Sequence, residues 1–234
     1  DIGTGKITRA EMKGVPHHML DVAEPTQRFS VSQYKKLALE EKHYIEKRNR
    51  LPIIVGGTGF YIDVLTGTAS FPEVPPNKKL RAKLAKKTNA VLFKLLRTKD
   101  PKRAKTIDPN NKVRLIRALE IVETLGKVPQ LKSKPSKNFV YIGLKPNDLE
   151  ERIHKRLVKR LDGIIRETKK LPKKRAHELG LEYRFASMYL KKKLTKGEFI
   201  EKLNIAIRQY SKRQMMWFKR NKKIKWFKPD EYKE

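Results

Sequence analysis

The stretch Val55-Gly56-Gly57-Thr58-Gly59-Phe60-Tyr61 sets three glycines and a hydroxyl directly after the apolar run at 52–55. Adjacent glycines let a backbone approach a ligand closely at the carboxyl end of a strand, where α/β sheets bind their ligands. The Thr58 hydroxyl can both donate and accept there. A tight strand-to-helix connection reads the same way, so the turn by itself leaves structure and function equally open. It is not a Walker loop, because G-x-x-x-x-G-K-[ST] occurs nowhere in the chain.

Two arginine-rich stretches could handle anions. In "DPNNKVRLIRALEIVETLGK", Arg114 and Arg117 stand three apart and share a helical face, while Leu115, Ala118, Leu119 and Val122 take the packing side. A planar guanidinium fixed on a packed helix suits phosphate or base contacts, although a solvated face has the same pattern. "IRQYSKRQMMWFKRNKKIKW" interleaves Arg208, Lys212, Arg213, Lys219 and Arg220 with Tyr210, Trp217, Phe218 and Trp226. Cations among aromatics fit RNA, where bases stack and phosphates need neutralising; a terminal amphipathic helix docking on a core would explain the aromatics alone. His17, His18 and Asp21 invite a metal, but adjacent side chains rarely face one ion, and loop hydrogen bonding is the favoured reading.

These stretches need elements to position them. Ser30 or Ser32 can cap a helix carrying Val31, Tyr34, Leu37, Ala38 and Ile45 and ending near Asn49. The run at 52–55 reads as a buried parallel strand, and helix, strand, glycine turn and helix in that order predict an α/β core. "SFPEVPPNKK" (from Ser70) marks a boundary. Helical patterns follow over 78–98 and 110–126, broken at Asp100-Pro101 and Asp108-Pro109. "NFVYIGL" (from Asn138) is a second predicted strand. A long helix is predicted from Asn147 or Asp148, and Thr195 with Glu198 forms a capping box for a final one. The expected organisation is an α/β core of residues 1–71 and 137–234, interrupted by a helical insertion of residues 72–136.

The totals narrow the partners. With 57 Lys+Arg against 25 Asp+Glu, the formal charge is +32 over 234 residues. Such a surface repels itself unless something anionic covers it, and nucleic acid, whose phosphates exchange counterions for Lys and Arg, is the expected partner. The absence of cysteine excludes disulfides, thiol chemistry and Cys-containing zinc sites. No segment is apolar enough to span a bilayer or serve as a signal region, and a soluble, cytoplasmic protein is expected.

Taken in order, "DIGTGK", "GVPHHMLDV", "LPIIVGGTGFYI", "DPKRAKTIDPNNKVRLIRALEI", "ERIHKRLVKRLDGIIRE" and "IRQYSKRQMMWFKR" resemble the tRNA dimethylallyltransferase (tRNA isopentenyltransferase) family from residue 1 to about Trp226. The resemblance implies a P-loop-kinase-like parallel sheet core with a helical insertion that grips the tRNA anticodon stem-loop. It implies transfer of a dimethylallyl group from dimethylallyl diphosphate to N6 of the adenine 3′ of the anticodon, with Mg2+ as cofactor and a monomeric enzyme. Chemistry on that base requires flipping it out of the stack. By similarity, Thr58 lines the channel where adenine meets the donor, with Gly56 and Gly57 beside it. Arg81, Arg114 and Arg117 contact tRNA, and Arg208, Gln209, Lys212 and Arg213 lie near the diphosphate and tRNA. In the family a first strand, a P-loop of the form G-P-T-x-x-G-K-T and an S-x-D-S-x-Q segment precede "DIGTGK". Their absence ahead of Asp1 leads to the expectation of impaired donor binding, with a non-catalytic RNA-binding protein as the alternative. Ile207 stands where Thr is common in the family, and "ELGLEYRF" (from Glu178) replaces "IGYKE".

Overall fold

The computed structural model describes residues 2–136 and 138–229. In chain order they form α1 (Val31–Glu46), α2 (Gly59–Leu65), α3 (Lys78–Ala85), α4 (Asn89–Lys99), α5 (Pro101–Ala104) and α6 (Lys112–Leu125). Then follow β1 (Ile142–Leu144), α7 (Leu149–Lys170), α8 (Lys173–Leu179), α9 (Leu181–Leu190), α10 (Lys196–Phe218) and β2 (Lys225–Phe227). The chain divides into two compact units, Asp1–Leu65 with Lys137–Glu234, and Thr66–Ser136.

In the first unit, α1 starts at a reciprocal cap: the Gln33 N–H donates to Ser30 Oγ at 3.3 Å, and the Ser30 N–H donates to Gln33 Oε1 at 2.9 Å. Thr195 and Glu198 cap α10 in the same way, as their spacing predicts. The long helices α7, α9 and α10 enclose a core of Leu157, Leu161, Ile164, Ala186, Phe199 and Leu203. Phe199, Leu157 and Ile164 are fully buried, each contributing roughly 2–3 kcal/mol by removal from water.

The sheet differs from the sequence reading. β1 pairs in parallel with β2, with Gly143 opposite Trp226; β2 had no sequence signal beyond its aromatics, and β1 is shorter than "NFVYIGL". The run at 52–55 is a correction: it belongs to no strand, and it is not buried. Leu51, Ile53 and Val55 are 82%, 78% and 89% exposed. A β-branched run favours a strand, but a ladder needs a neighbour, and among the described residues no segment pairs with this one.

The second unit is helical. Leu92, Leu96, Leu115, Leu119 and Val122 form its core. The single pattern expected over 78–98 is two helices, because the Thr88 hydroxyl accepts from the Val91 N–H and starts α4 afresh. Buried Asp100 accepts from the N–H groups of Arg103 and Val128, both contacts under 3 Å, which caps α5 and ties the segment after α6 back to it. The two ends of the unit run side by side, the Lys134 N–H donating to Gly67 O at 2.9 Å. Gly67 has φ +75°, and a Cβ there would lie 2.3 Å from Lys134 O, so only glycine fits.

Candidate functional site

The glycine turn of the first unit is docked on α10. Gln214 Nε2 donates to Gly57 O at 2.9 Å. A Cβ on Gly57 would stand 2.1 Å from that nitrogen, and one on Gly59 would stand 2.1 Å from Trp217 Cδ1. These two glycines are therefore needed for close packing, whereas Gly56 faces open space. Trp217 Nε1 donates to Asp63 Oδ2 at 2.9 Å, Phe60 meets the indole edge-on, and the Arg220 guanidinium lies 3.9 Å over its ring. Tyr61, one turn into α2, stacks on Tyr34 of α1 at 4.4 Å, and burial pushes both phenols above their ordinary pKa. The turn is thus held from three sides.

Thr58 starts α2 with its carbonyl, which accepts from the Tyr61 and Ile62 N–H groups. Its side chain is exposed, and its hydroxyl has no partner among the described residues. An ordered, open hydroxyl beside bare backbone can orient a ligand. On α10, Arg208 pairs with Glu150 of α7. Gln209, Lys212 and Arg213 are exposed, with Arg213 5.8 Å from the Tyr210 ring. Ile207 is half-buried among the apolar residues packed on the first unit's core.

In the second unit, Arg81 and Arg117 converge on Glu120, which is fully buried. Arg117 Nη1 reaches Glu120 Oε2 at 2.5 Å, and its Nη2 donates to Val74 O at 2.9 Å. The Asn77 N–H completes the set at 2.6 Å. Burial would raise the Glu120 pKa, but the hydrogen bonds from Arg81, Arg117 and Asn77 outweigh it and hold the carboxyl at about 2. Arg114 differs from its neighbour: its side chain is exposed and has no partner among the described residues.

His17, His18 and Asp21 do not meet. His17 Nδ1 contacts Val15 O at 2.8 Å, His18 Nδ1 contacts Glu41 Oε2 at 2.5 Å, and Asp21 pairs with Lys6 at 2.8 Å. No group of three metal-ligating side chains occurs among the described residues.

Gln214 and Glu120 were not singled out from sequence, and Trp217 only as one of several aromatics among cations, yet each left a trace. Gln214 and Trp217 continue the stripe Phe199, Leu203, Ile207, Tyr210 of α10, so a polar group on an inward face was readable. Glu120 sits amid Leu115, Ala118, Leu119 and Val122, and an acid in a buried run calls for a cationic partner.

Comparison with known proteins gives a coherent picture. The family model described as IPP transferase matches residues 1–221. The tRNA dimethylallyltransferase of Thermoanaerobacter sp. (strain X514) is 38% identical, with all of this chain and 80% of that protein aligned. The crystal structure of the full-length tRNA isopentenylpyrophosphate transferase from Bacillus halodurans superimposes with a TM-score of 0.67 at 34% identity, covering 97% of this chain and 76% of that one. A eukaryotic dimethylallyltransferase crystallised acting on tRNA shares the fold, with a TM-score of 0.81 at 23% identity, covering 97% and 63% of the two chains.

Proposed function

The chain belongs to the IPP transferase family, and on that premise we propose that it transfers a dimethylallyl group from dimethylallyl diphosphate to N6 of the adenine 3′ of a tRNA anticodon. One observation carries the reading most directly: the exposed Thr58 hydroxyl sits on a glycine turn locked against the helix that bears Lys212 and Arg213. In the reaction a bond forms between adenine N6 and the first prenyl carbon. The carbon–oxygen bond to diphosphate breaks with its electron pair on diphosphate, and the proton released from N6 passes to water or to the departing diphosphate.

Each residue then has a task. Thr58 and the open backbone at Gly56 orient the adenine edge. Lys212 and Arg213 neutralise charge on the leaving diphosphate or the adjoining RNA, as fixed cations do where charge develops, and Gln209 adds a neutral donor. Arg208 is shared with Glu150 and acts by holding α10 to α7. In residues 72–136, the portion assigned to tRNA contact, Arg114 and the free edge of Arg81 meet phosphates of the anticodon stem-loop. Arg117 supports that surface from within. Residues 1–71 and 137–234 carry the chemistry, in a monomeric cytoplasmic enzyme.

A divalent metal fits a diphosphate leaving group, and Mg2+ is the proposed ion. With no cluster of metal-ligating side chains among the described residues, such an ion would be held chiefly by diphosphate oxygens and water, as Mg2+ commonly is. It would supply charge neutralisation as diphosphate departs.

The test is direct. The chain is incubated with unmodified tRNA, dimethylallyl diphosphate and Mg2+, and the digested nucleosides are examined by mass spectrometry for N6-dimethylallyladenosine. Its appearance, and its loss in Thr58→Ala, is expected. Tight tRNA binding with no modified nucleoside would instead favour an RNA-binding protein without transferase activity.

A further inference from the structure

The turn at Gly3–Gly5 is gripped from two chemically opposite sides. Glu167 of α7 accepts from the Ile2 and Gly3 N–H groups at 2.7 and 2.9 Å and is itself held by the Tyr183 hydroxyl at 3.0 Å. Arg160, also on α7, donates from Nη1 to Ile2 O at 3.1 Å. The Gly5 N–H closes the turn on the same carbonyl. This turn belongs to the "DIGTGK" motif, for which the transfer chemistry above has no use.

A second guanidinium joins the first. Gly5 has φ +68°, and the position a Cβ would occupy is 2.7 Å from Arg160 Nη1 and 3.3 Å from Arg156 Nη2. The positive φ favours glycine, and a Cβ there would push the Arg160 guanidinium aside; the two nitrogens stand within about 6 Å of each other. Arg156 and Arg160 lie one helical turn apart on α7, and neither forms an ion pair among the described residues. Three acids act here by charge, but among the described residues none hydrogen-bonds either guanidinium: Glu167 is taken up by the Ile2 and Gly3 N–H groups and the Tyr183 hydroxyl, Glu11 by the Thr8 N–H and hydroxyl, and Glu182 acts on Arg160 by charge alone. Burial first and then the Arg156 charge push the Arg160 pKa down, against a smaller upward pull from Glu182.

We propose that Arg156 and Arg160, converging on the Gly3–Gly5 turn, form a binding site for a phosphate oxyanion, supplied either by an RNA phosphodiester or by free phosphate or diphosphate. Guanidinium groups match phosphate through paired N–H donors, and a bridging anion turns a repulsion into two charge-assisted hydrogen bonds. The site does not depend on prenyl transfer. It would stand if the chain bound RNA without modifying it.

The experiment uses the full 234-residue chain, with inorganic phosphate, pyrophosphate and an anticodon stem-loop RNA as separate probes. Arg156→Gln, on an exposed side chain, should weaken one of them by about tenfold. Gly5→Ala keeps every charge but displaces Arg160, and should weaken the same probe. Lys47→Gln, an equal charge loss on an exposed position at the end of α1, should have little effect. Loss confined to the stem-loop identifies an RNA phosphodiester; loss with pyrophosphate or phosphate alone identifies the free anion. Arg156→Gln binding every probe as the unmodified chain does, or Lys47→Gln weakening binding as much as Arg156→Gln, would overturn the site in favour of diffuse attraction. A thermal melt of each variant establishes that it is folded, and Arg156→Gln suffices if Gly5→Ala is not.

Discussion

Arg81 grips Glu120 through two parallel hydrogen bonds, Nε to Oε1 at 2.7 Å and Nη2 to Oε2 at 2.6 Å. The geometry uses one edge of the guanidinium and leaves the Nη1 edge available on a side chain that is 39% exposed. Glu120 therefore fixes where Arg81 points as well as stabilising α3 against α6. Replacing the carboxylate by Glu120→Gln leaves two guanidinium groups, their side chains 39% and 33% exposed, facing a buried amide. Losing charge-assisted hydrogen bonds from cations that water still reaches costs about 1.5–3 kcal/mol, and a chemical denaturation series should register it as a loss of stability in residues 66–136.

The same carboxylate makes the protein acid-sensitive. Its folded pKa of about 2 lies below its ordinary value of 4.5. The stabilisation is fully present above pH 4.5 and is lost as pH falls toward 2, by about 3 kcal/mol in all. Glu167 behaves alike: burial opposes ionisation, but the Gly3 and Ile2 N–H groups and the Tyr183 hydroxyl hold its pKa at about 2 as well. Denaturation midpoints measured across this range should fall steadily, and Glu120→Gln should flatten the fall. An unchanged pH profile in that variant would show that Glu120 does not carry the effect.

Arg114 and Arg117, three residues apart, should part company under mutation. Arg114→Gln is expected to weaken stem-loop RNA binding and to lower the salt slope by about one, with the melting temperature unchanged. Arg117→Gln removes the bond to Val74 O and half of the Glu120 clamp, and should lower the melting temperature before any effect on RNA is visible. Filter binding at several salt concentrations, paired with thermal melts, separates the two.

Gln214→Ala removes the donor to Gly57 O and opens space beside the turn. A net stability loss of about 1 kcal/mol is expected from one hydrogen bond. Because the turn carries Thr58, the turnover of tRNA should fall by a larger factor than the affinity for tRNA. Equal changes in both would mean that Gln214 serves only packing. Trp217→Phe keeps the ring but loses the bond to Asp63, and should fall between the unmodified chain and Gln214→Ala in both measurements.

Much of this was legible in the residues. Ser30 with Gln33, and Thr195 with Glu198, are local devices: the residues that cap are close in sequence to those they cap, so spacing alone reveals them. The apolar stripes of α6, α7 and α10 were readable for the same reason. The Gly57–Gln214 contact and the Arg81–Glu120 pair were not, because they join positions 157 and 39 residues apart whose pairing only the fold decides. The run at 52–55 misled because strand pattern is a statement about a segment, while strand formation depends on a neighbour. Arg81 was found through resemblance alone, since no pattern in its own lysine-rich stretch distinguishes it.

Leu51, Ile53 and Val55, together with Val140, Ile142 and Leu144 at the edge strand β1, leave exposed apolar side chains at every second position. In dilute, low-salt solution a charge of +32 keeps neighbouring molecules apart. At physiological ionic strength that repulsion reaches only about 8 Å, and strands with open edges can then zip together. Turbidity should therefore climb as sodium chloride is added, the reverse of the salting-in expected when opposite charges cause clumping, so that stock solutions keep best in the weakest buffer.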